Sequence, residues 1–261
     1  MKRYLFDFLE DVTNQLKSSS SVLLFLDYDG TVVPIRKEPS LALLSIERKR
    51  VLRTLSRIPW LFVGIISGRP LKEVREMVGD ENLFYAGNHG FEILFKGKVW
   101  VHPELMSVGY SLIKVSSELK SATQGIKGIL IEDKQATVSV HYRKVTSQSP
   151  GSILKTVLKA VEPYPDLFEV TRGKKVYEIR PCIDWDKGKA VVKISQFFDF
   201  KPEPLKIYIG DDVTDEDAFS VLGKNDISIR VGYRKDSKAR YFCRGSTDVL
   251  RFLRYITQMK K

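Results

Sequence analysis

The chain has 261 residues, 43% of them hydrophobic and 29% charged, with a formal net charge of +11. This length admits one large domain or two unequal ones, and the composition excludes a disordered or fibrous chain. No apolar run approaches the roughly 18 residues needed to cross a bilayer, and two distant cysteines argue against a disulfide framework or a zinc site.

The N-terminal stretch MKRYLFDFLEDVTNQLK is amphipathic and carries acids inside its apolar pattern, so it reads as a surface helix and not as a signal peptide. A cytoplasmic protein without a membrane anchor is the expectation, with Cys182 and Cys243 as small apolar fillers. Lys and Arg are spread along the whole chain, without a basic tail or a stripe interleaved with aromatics. That pattern favours a solvated basic surface over a nucleic-acid partner. Composition leaves open whether part of the charge surrounds a phosphate-bearing small substrate.

After a short Ser run at 18–21 comes VLLFL (22–26), a continuous apolar stretch that ends in acids. The same form recurs in LFVGII (61–66) before SGRP and in KIYIG (206–210) before DDVTDED. Continuous apolar strands belong to a parallel sheet covered on both faces. Helical spacing over 45–57 and 71–78 lies between them, which predicts a doubly wound α/β sheet. The middle of the chain differs. A helix over 105–121 precedes strands at 128–133 and 136–143, and a helix over 152–162 precedes strands at 167–171 and 175–180 around a turn at Arg172-Gly173. That α-β-β-α-β-β order predicts an antiparallel α+β cap inserted into the first domain. The expected boundaries are 1–104 with 181–261 for the core and 105–180 for the insert.

Asp27-Tyr28-Asp29-Gly30-Thr31 directly follows the first strand, where open α/β sheets place their ligands. Alternation along an extended backbone sends residues 27 and 29 to the same side. Two acids in a dry crevice repel each other unless a cation is bound or one is protonated. The segment 211–217 packs five acids into seven residues and opens a helix for which Thr214 or Asp215 can serve as N-cap. If the two strands are neighbours, Asp27, Asp29 and Asp211 converge on an all-oxygen site suited to Mg²⁺. Ser67-Gly68-Arg69 offers a hydroxyl and free N–H groups for an anion, and Lys187 offers an ammonium for a transferring phosphoryl group.

These motifs resemble the haloacid-dehalogenase superfamily of phosphatases, and within it the trehalose-6-phosphate phosphatases. The matching stretches are FLDYDGTVVPI (25–35), GIISGRP (64–70), YAGNHGFEI (85–93), IEDKQATVSVHYR (131–143), YEIRPCIDWDKGKAV (177–191) and YIGDDVTDEDAF (208–219). The resemblance implies a Rossmann-like core with an inserted cap that closes over it. It implies Asp27 as the nucleophile that forms an aspartyl-phosphate, Asp29 as general acid and base, and Ser67 and Lys187 as holders of the phosphoryl oxygens. Mg²⁺ would be bound by Asp27, the Asp29 carbonyl and Asp211, with Asp212 or Asp215 in support. Substrate contacts would come from Arg69, from Asn88, His89 and Gly90, and from Glu132, Lys134, His141, Arg143, Glu178 and Arg180 of the cap.

The partner so implied is a small-molecule sugar phosphate, met by a monomer with neither nucleic-acid nor membrane partners. Val32-Val33 departs from the usual residues after DYDGT, a change of packing without chemical consequence. Bifunctional relatives carry a synthase domain ahead of the phosphatase; here the first motif begins at residue 25, which implies phosphatase activity alone. Glucosyl- or mannosyl-phosphoglycerate and sucrose phosphate are the alternative substrates, and a non-catalytic sugar-phosphate-binding regulator is the alternative class.

Overall fold

Period two is the key to the core. In the central strand, Val22, Leu24 and Leu26 join one buried cluster while Leu23 and Phe25 join another, so both faces of the sheet are covered. The computed structural model describes residues 3–36, 41–173 and 175–259. The chain forms two compact units, one from the residues up to Trp100 together with those from Trp185 onward, the other from Val101–Asp184.

In the larger unit the elements run β1 (Arg3–Tyr4), α1 (Leu9–Ser18), β2 (Val22–Asp27), α2 (Ile46–Leu55), β3 (Leu61–Ile66), α3 (Leu71–Val78), β4 (Phe84–Gly87), β5 (Glu92–Phe95) and β6 (Lys98–Val101). The smaller unit contributes α4 (Pro103–Ala122), β7 (Leu130–Asp133), β8 (Val138–His141), α5 (Pro150–Val161), β9 (Phe168–Gly173) and β10 (Val176–Pro181). The chain then returns to the larger unit with α6 (Lys187–Ser195), β11 (Leu205–Gly210), α7 (Asp215–Val221), β12 (Ile227–Val231), β13 (Tyr241–Cys243) and α8 (Ser246–Thr257).

The larger sheet has the order β1-β13-β12-β11-β2-β3-β4-β5-β6. Its strands from β1 to β4 are parallel, and β5 turns back antiparallel to β4. Residues of α1, α2, α3 and α8 cover one face, and residues of α6 and α7 cover the other. This is the doubly wound α/β arrangement that the uninterrupted apolar strands predict.

The smaller unit holds a four-stranded antiparallel sheet in the order β7-β8-β10-β9. Val138, Val140, Tyr177 and Ile179 alternate onto its buried face, and α4 and α5 pack on the sheet. The other face carries the row Glu132, Ser139, Glu178 and Thr171, which are partners in register across four strands. One face is apolar and one polar, as alternation requires.

Several details depart from the sequence expectations. The N-terminal segment is not one helix: Arg3–Tyr4 pair with β13, a short 3₁₀ turn follows, and α1 begins only at Leu9. Cys243 is a buried filler, but Cys182 is exposed, because it falls just past the end of β10. Strand β9 continues through Arg172 and Gly173, where the sequence predicts a turn; residue 174 lies outside the described residues. Thr214 is the N-cap of α7 without a side-chain capping bond, and Asp215 is the first helical residue. Strands β1, β4, β5, β6, β12 and β13 and helix α8 have no sequence forecast.

Leu5, Val12 and Leu16 are fully buried in the core cluster, so the N-terminal segment is part of the core and not an appendage. Leu5→Ala is expected to lower unfolding free energy by about 2–4 kcal/mol, as large-to-small core changes do. Denaturant titration of the variant checks this, and a change below about 1 kcal/mol would mean that the segment packs loosely.

Candidate active site

Strands β2 and β11 are parallel neighbours, with Leu26 opposite Ile209. Asp27 and the acidic segment that follows Gly210 therefore leave the sheet together at its carboxyl edge. Helix α6 brings the counter-charge. Its N-cap Asp186 accepts the Lys189 N–H at 2.8 Å, which fixes Lys187 as the first helical residue. Gly188 lets α6 approach α7 closely, since a Cβ there would lie 2.5 Å from the Asp217 carbonyl oxygen.

Lys187 Nζ donates to Asp27 Oδ1 and to Asp215 Oδ1, both at 2.7 Å. Lys187 is 3% exposed and Asp215 is fully buried. Asp215 also accepts the Tyr208 hydroxyl at 2.8 Å and the Asp212 N–H at 2.8 Å. Arg230 ties down the acidic loop: it donates to the Asp211 and Asp212 carbonyls at 2.6 and 3.0 Å and to Glu216 Oε1 at 2.7 Å.

One carboxylate oxygen from each of Asp27, Asp211 and Asp215 lies within 4.8 Å of the others. Three carboxylates against one ammonium leave an excess of two negative charges when all are ionised. Burial raises the Asp27 pKa well above the usual carboxylate range, and Asp215 and Asp211 add to that against the opposing pull of Lys187. Burial, with Asp215 and Asp212, pushes Asp211 up to about 6. Burial acts to lower the Lys187 pKa, but Asp215 and Asp27 outweigh it and keep the ammonium charged. Among the described residues, Asp211 Oδ1 is buried without a hydrogen-bond partner. An all-oxygen donor set, excess negative charge and an unsatisfied buried carboxylate oxygen together fit a hard divalent cation. Gly30, at φ +87°, lets the Asp27 loop pass against Asp211, since a Cβ there would sit 2.1 Å from Asp211 Oδ2.

Asp29 faces a different partner. Arg69 Nε donates to Asp29 Oδ2 at 2.6 Å and its NH2 nitrogen to Asp29 Oδ1 at 2.8 Å, while NH1 donates to Glu73 Oε1. The guanidinium is buried and stands 5.5 Å above the Tyr28 ring. Ser67, 1% exposed at the end of β3, accepts the Arg69 N–H on its hydroxyl at 3.1 Å. The segment 88–90 interlocks with it: the His89 N–H donates to the Ser67 carbonyl and the Asn88 N–H to the Arg69 carbonyl. Asn88 and His89 hold φ of +50° and +59°, which side chains rarely adopt, and Gly90 follows at +95°. Asn88 Nδ2 donates to Glu92 at 2.7 Å, which helps to hold this turn.

In the smaller unit the polar face brings together most of the residues expected there. Glu178 Oε1 accepts from Lys134 Nζ at 3.3 Å and from the Thr137 and Ser139 hydroxyls, both at 3.4 Å. His141 Nε2 lies 2.7 Å from Glu132 Oε2. Arg180 is opposite Glu169 on the neighbouring strand, and Arg143 is exposed beyond the end of β8.

The residues singled out in the sequence thus fall into three groups. Asp27, Lys187, Asp211 and Asp215 share one buried cluster. Asp29, Arg69, Ser67 and 88–90 form a second group at the ends of β2, β3 and β4. Glu132, Lys134, His141, Glu178 and Arg180 lie on or beside the polar face. Asp212 is exposed, and its carboxylate is not in the three-carboxylate group found among the described residues.

Tyr208, Arg230 and Glu73 escaped the sequence reading. Two of them do carry a signal: Arg230 interrupts the buried strand ISIRV, and Tyr208 is the one residue with a polar tip in YIG. Glu73 looks like any acid in a helix's first turn.

The electrostatics has a pH signature. The Asp211 pKa stands at about 6 in the folded chain against an ordinary 3.8. Between these values the folded chain holds a proton that the unfolded chain has released, so this group's contribution to stability falls as pH rises through about 4 to 6. In EDTA, Asp211→Asn is expected to be more stable than the unsubstituted chain at pH 7, with the difference shrinking toward pH 4. Paired melting curves check this, and a pH-independent difference would contradict it.

Comparison with known proteins gives a consistent picture. The family model described as Trehalose-phosphatase matches residues 25–247. The chain is 36% identical over 281 residues to "Probable trehalose-phosphate phosphatase 2" of Oryza sativa subsp. japonica, covering 97% of this chain and 72% of the relative. Its fold is similar to the structure of the C. albicans trehalose-6-phosphate phosphatase C-terminal domain, with a TM-score of 0.79, 24% identity and full coverage of both chains. It also resembles a haloacid dehalogenase-like hydrolase from Bacteroides thetaiotaomicron, with a TM-score of 0.61, 15% identity, and coverage of 90% of this chain and 99% of that one. The fold is therefore haloacid-dehalogenase-like.

Proposed function

The chain belongs to the trehalose-phosphatase family, and we propose that it hydrolyses trehalose 6-phosphate to trehalose and phosphate, the last step of trehalose formation, by way of an aspartyl-phosphate on Asp27. The observation that carries this reading is the buried Asp27 carboxylate, held 2.7 Å from the Lys187 ammonium beside two further acids.

In the first step an Asp27 oxygen attacks phosphorus, the P–O bond to the sugar breaks, and Asp29 gives its proton to the departing sugar oxygen. In the second, water attacks the phosphorus of the aspartyl-phosphate and passes a proton to Asp29. The P–O bond to Asp27 then breaks, and phosphate leaves. Lys187 and the Ser67 hydroxyl would hold phosphoryl oxygens, and Lys187 would also keep the Asp27 carboxylate oriented while charge moves onto the phosphate. The cation is read as Mg²⁺, which would be held by Asp27, Asp211, Asp215 and the Asp29 carbonyl, with Asp212 in support from the same loop. Bound there, it would neutralise the excess charge of the acids and of the phosphate dianion.

Recognition of the sugar falls to the polar face of the inserted unit, with Asn88-His89-Gly90 as a further contact. Glu132, Lys134, His141, Glu178 and Arg180 supply charged donors and acceptors, and Ser139 and Thr137 add hydroxyls beside them. Such groups bracket ring hydroxyls with charge-assisted hydrogen bonds. A monomeric enzyme in a reducing cytoplasm belongs to the same reading, with which free thiols at Cys182 and Cys243 are compatible. Among the described residues no helix is long and apolar enough to cross a membrane.

The direct test is phosphate release from trehalose 6-phosphate with Mg²⁺, then with EDTA, for the unsubstituted chain and Asp27→Asn. Release is expected to need the metal and to fall by about 10³-fold or more in the variant. Release untouched by Asp27→Asn would end the covalent mechanism, and a preference for phosphoglycerate or sucrose esters would change the substrate. For the inserted unit, Glu178→Ala is expected to cost about 1.5–3 kcal/mol, or roughly 10- to 100-fold in kcat/KM, on trehalose 6-phosphate. Rates on p-nitrophenyl phosphate should be nearly unchanged, and an equal loss on both esters would place Glu178 outside sugar recognition.

A further inference from the structure

Arg230 is a charged residue buried in the sheet that no step of the reaction uses. We propose that it is a positioning residue for the cation site: by gripping the backbone of the acidic loop it sets where the Asp211 carboxylate stands. The proposal rests on the reading that Asp27, Asp211 and Asp215 hold the cation.

The strand fixes Arg230 first. It lies on β12 opposite Gly210, the last residue of β11 before the loop. It is 8% exposed and stands between the buried Ile229 and Val231. A guanidinium in such a place must find acceptors for its donors.

Those acceptors are two carbonyls and a carboxylate. NH2 donates to the Asp211 carbonyl at 2.6 Å, while NH1 donates to the Asp212 carbonyl at 3.0 Å and to Glu216 Oε1 at 2.7 Å. The N–H ends of the same two peptide units are held as well. The Asp212 N–H donates to Asp215 Oδ2 and the Val213 N–H to Asp212 Oδ1, both at 2.8 Å. Each peptide plane is thus pinned at its oxygen by Arg230 and at its hydrogen by an aspartate. With these planes fixed and Gly210 held in β11, little besides its own side-chain torsions is left to Asp211. Its buried Oδ1, which no donor among the described residues reaches, then keeps one place beside Asp27 and Asp215.

Charge argues the same way. A cation near a metal site repels the metal, so the charge of Arg230 by itself opposes binding. Glu216 offsets it, accepting from Arg230 on Oε1 and from the Lys238 N–H on Oε2 at 2.6 Å. What the guanidinium supplies is its shape, a planar fork that spans two adjacent carbonyls. Groups that orient metal ligands from behind are worth about 10- to 100-fold in metal affinity.

The experiment is to titrate Mg²⁺ calorimetrically into the substrate-free chain, at a temperature where melting curves show each variant folded. The Mg²⁺ concentration that gives half the maximal rate on p-nitrophenyl phosphate is measured alongside. The variants are Arg230→Lys, Glu216→Gln, Asp211→Asn, and Arg230→Met combined with Glu216→Gln. The combined variant removes both buried charges together, so neither is left unpaired and the fold is expected to hold. It should bind Mg²⁺ about 10- to 100-fold more weakly and recover most of its rate at high Mg²⁺. Arg230→Lys keeps the charge without the fork and should bind about 3- to 30-fold more weakly. Glu216→Gln alone leaves Arg230 on the carbonyls and should weaken binding less than the combined variant does.

A merely structural role would lower the melting temperature and leave the Mg²⁺ affinity of the folded chain unchanged. Unchanged or tighter binding in the combined variant would overturn the proposal. So would normal binding in Arg230→Lys, or a loss in Glu216→Gln alone equal to that of the combined variant. Asp211→Asn should lose more affinity than any of these. If it binds Mg²⁺ as the unsubstituted chain does, the reading of the cation site fails and the proposal falls with it. If it loses Mg²⁺ while the Arg230 variants bind normally, the positioning role alone fails.

Discussion

A buried ammonium between two carboxylates is the constraint on which this site depends. Lys187 touches Asp27 and Asp215 at once, and neither water nor a surface counter-ion can take its place at 3% exposure. Burying charge without a partner is costly, so each member of the trio holds the others in place. Three segments distant in sequence must come together to satisfy it: the end of β2, the start of α6 and the start of α7. The parallel sheet supplies the common edge, and the absence of a Cβ at Gly188 supplies the close approach of the two helices.

The same ammonium does not neutralise the site completely. Asp211 adds a third carboxylate, with a buried oxygen that no donor among the described residues reaches. Arg230 and Tyr208 brace the acids from outside the cluster, through the loop carbonyls and through Asp215. Such bracing holds like charges close together although they repel, which keeps the site receptive to a cation and to a phosphoryl group. The left-handed backbone at Asn88 and His89 is a second place where the structure tolerates strain. It is held there by backbone hydrogen bonds to the Ser67 and Arg69 carbonyls.

The two units differ in sheet type. A parallel sheet buried on both faces offers only its carboxyl edge for polar chemistry, so the acids and the lysine gather there. An antiparallel sheet with helices on one face keeps its other face for polar alternate side chains. Glu132, Ser139, Glu178 and Thr171 form a row across four strands on that face, a surface suited to a ligand with many hydroxyls.

Much of this was legible in the amino-acid sequence. Uninterrupted runs such as VLLFL and LFVGII identify strands covered on both sides, and alternation in the middle of the chain identifies the antiparallel sheet, because burial alone decides these patterns. The acids at 27, 29 and 211, with Ser67 and Lys187, stand out because each ends a strand or starts a helix. The strands β1 and β13, two and three residues long, are too short to carry a period, so pairing partners define them and local pattern does not. Only the tertiary structure decided that Asp215 and not Asp212 joins the buried cluster, and that Asp29 turns to Arg69. Alternation says which side a residue takes, but the partner it finds there comes from another strand or helix. Hydrogen bonds between segments set those choices, as at Lys187 and Glu73, and no local pattern of residues records them.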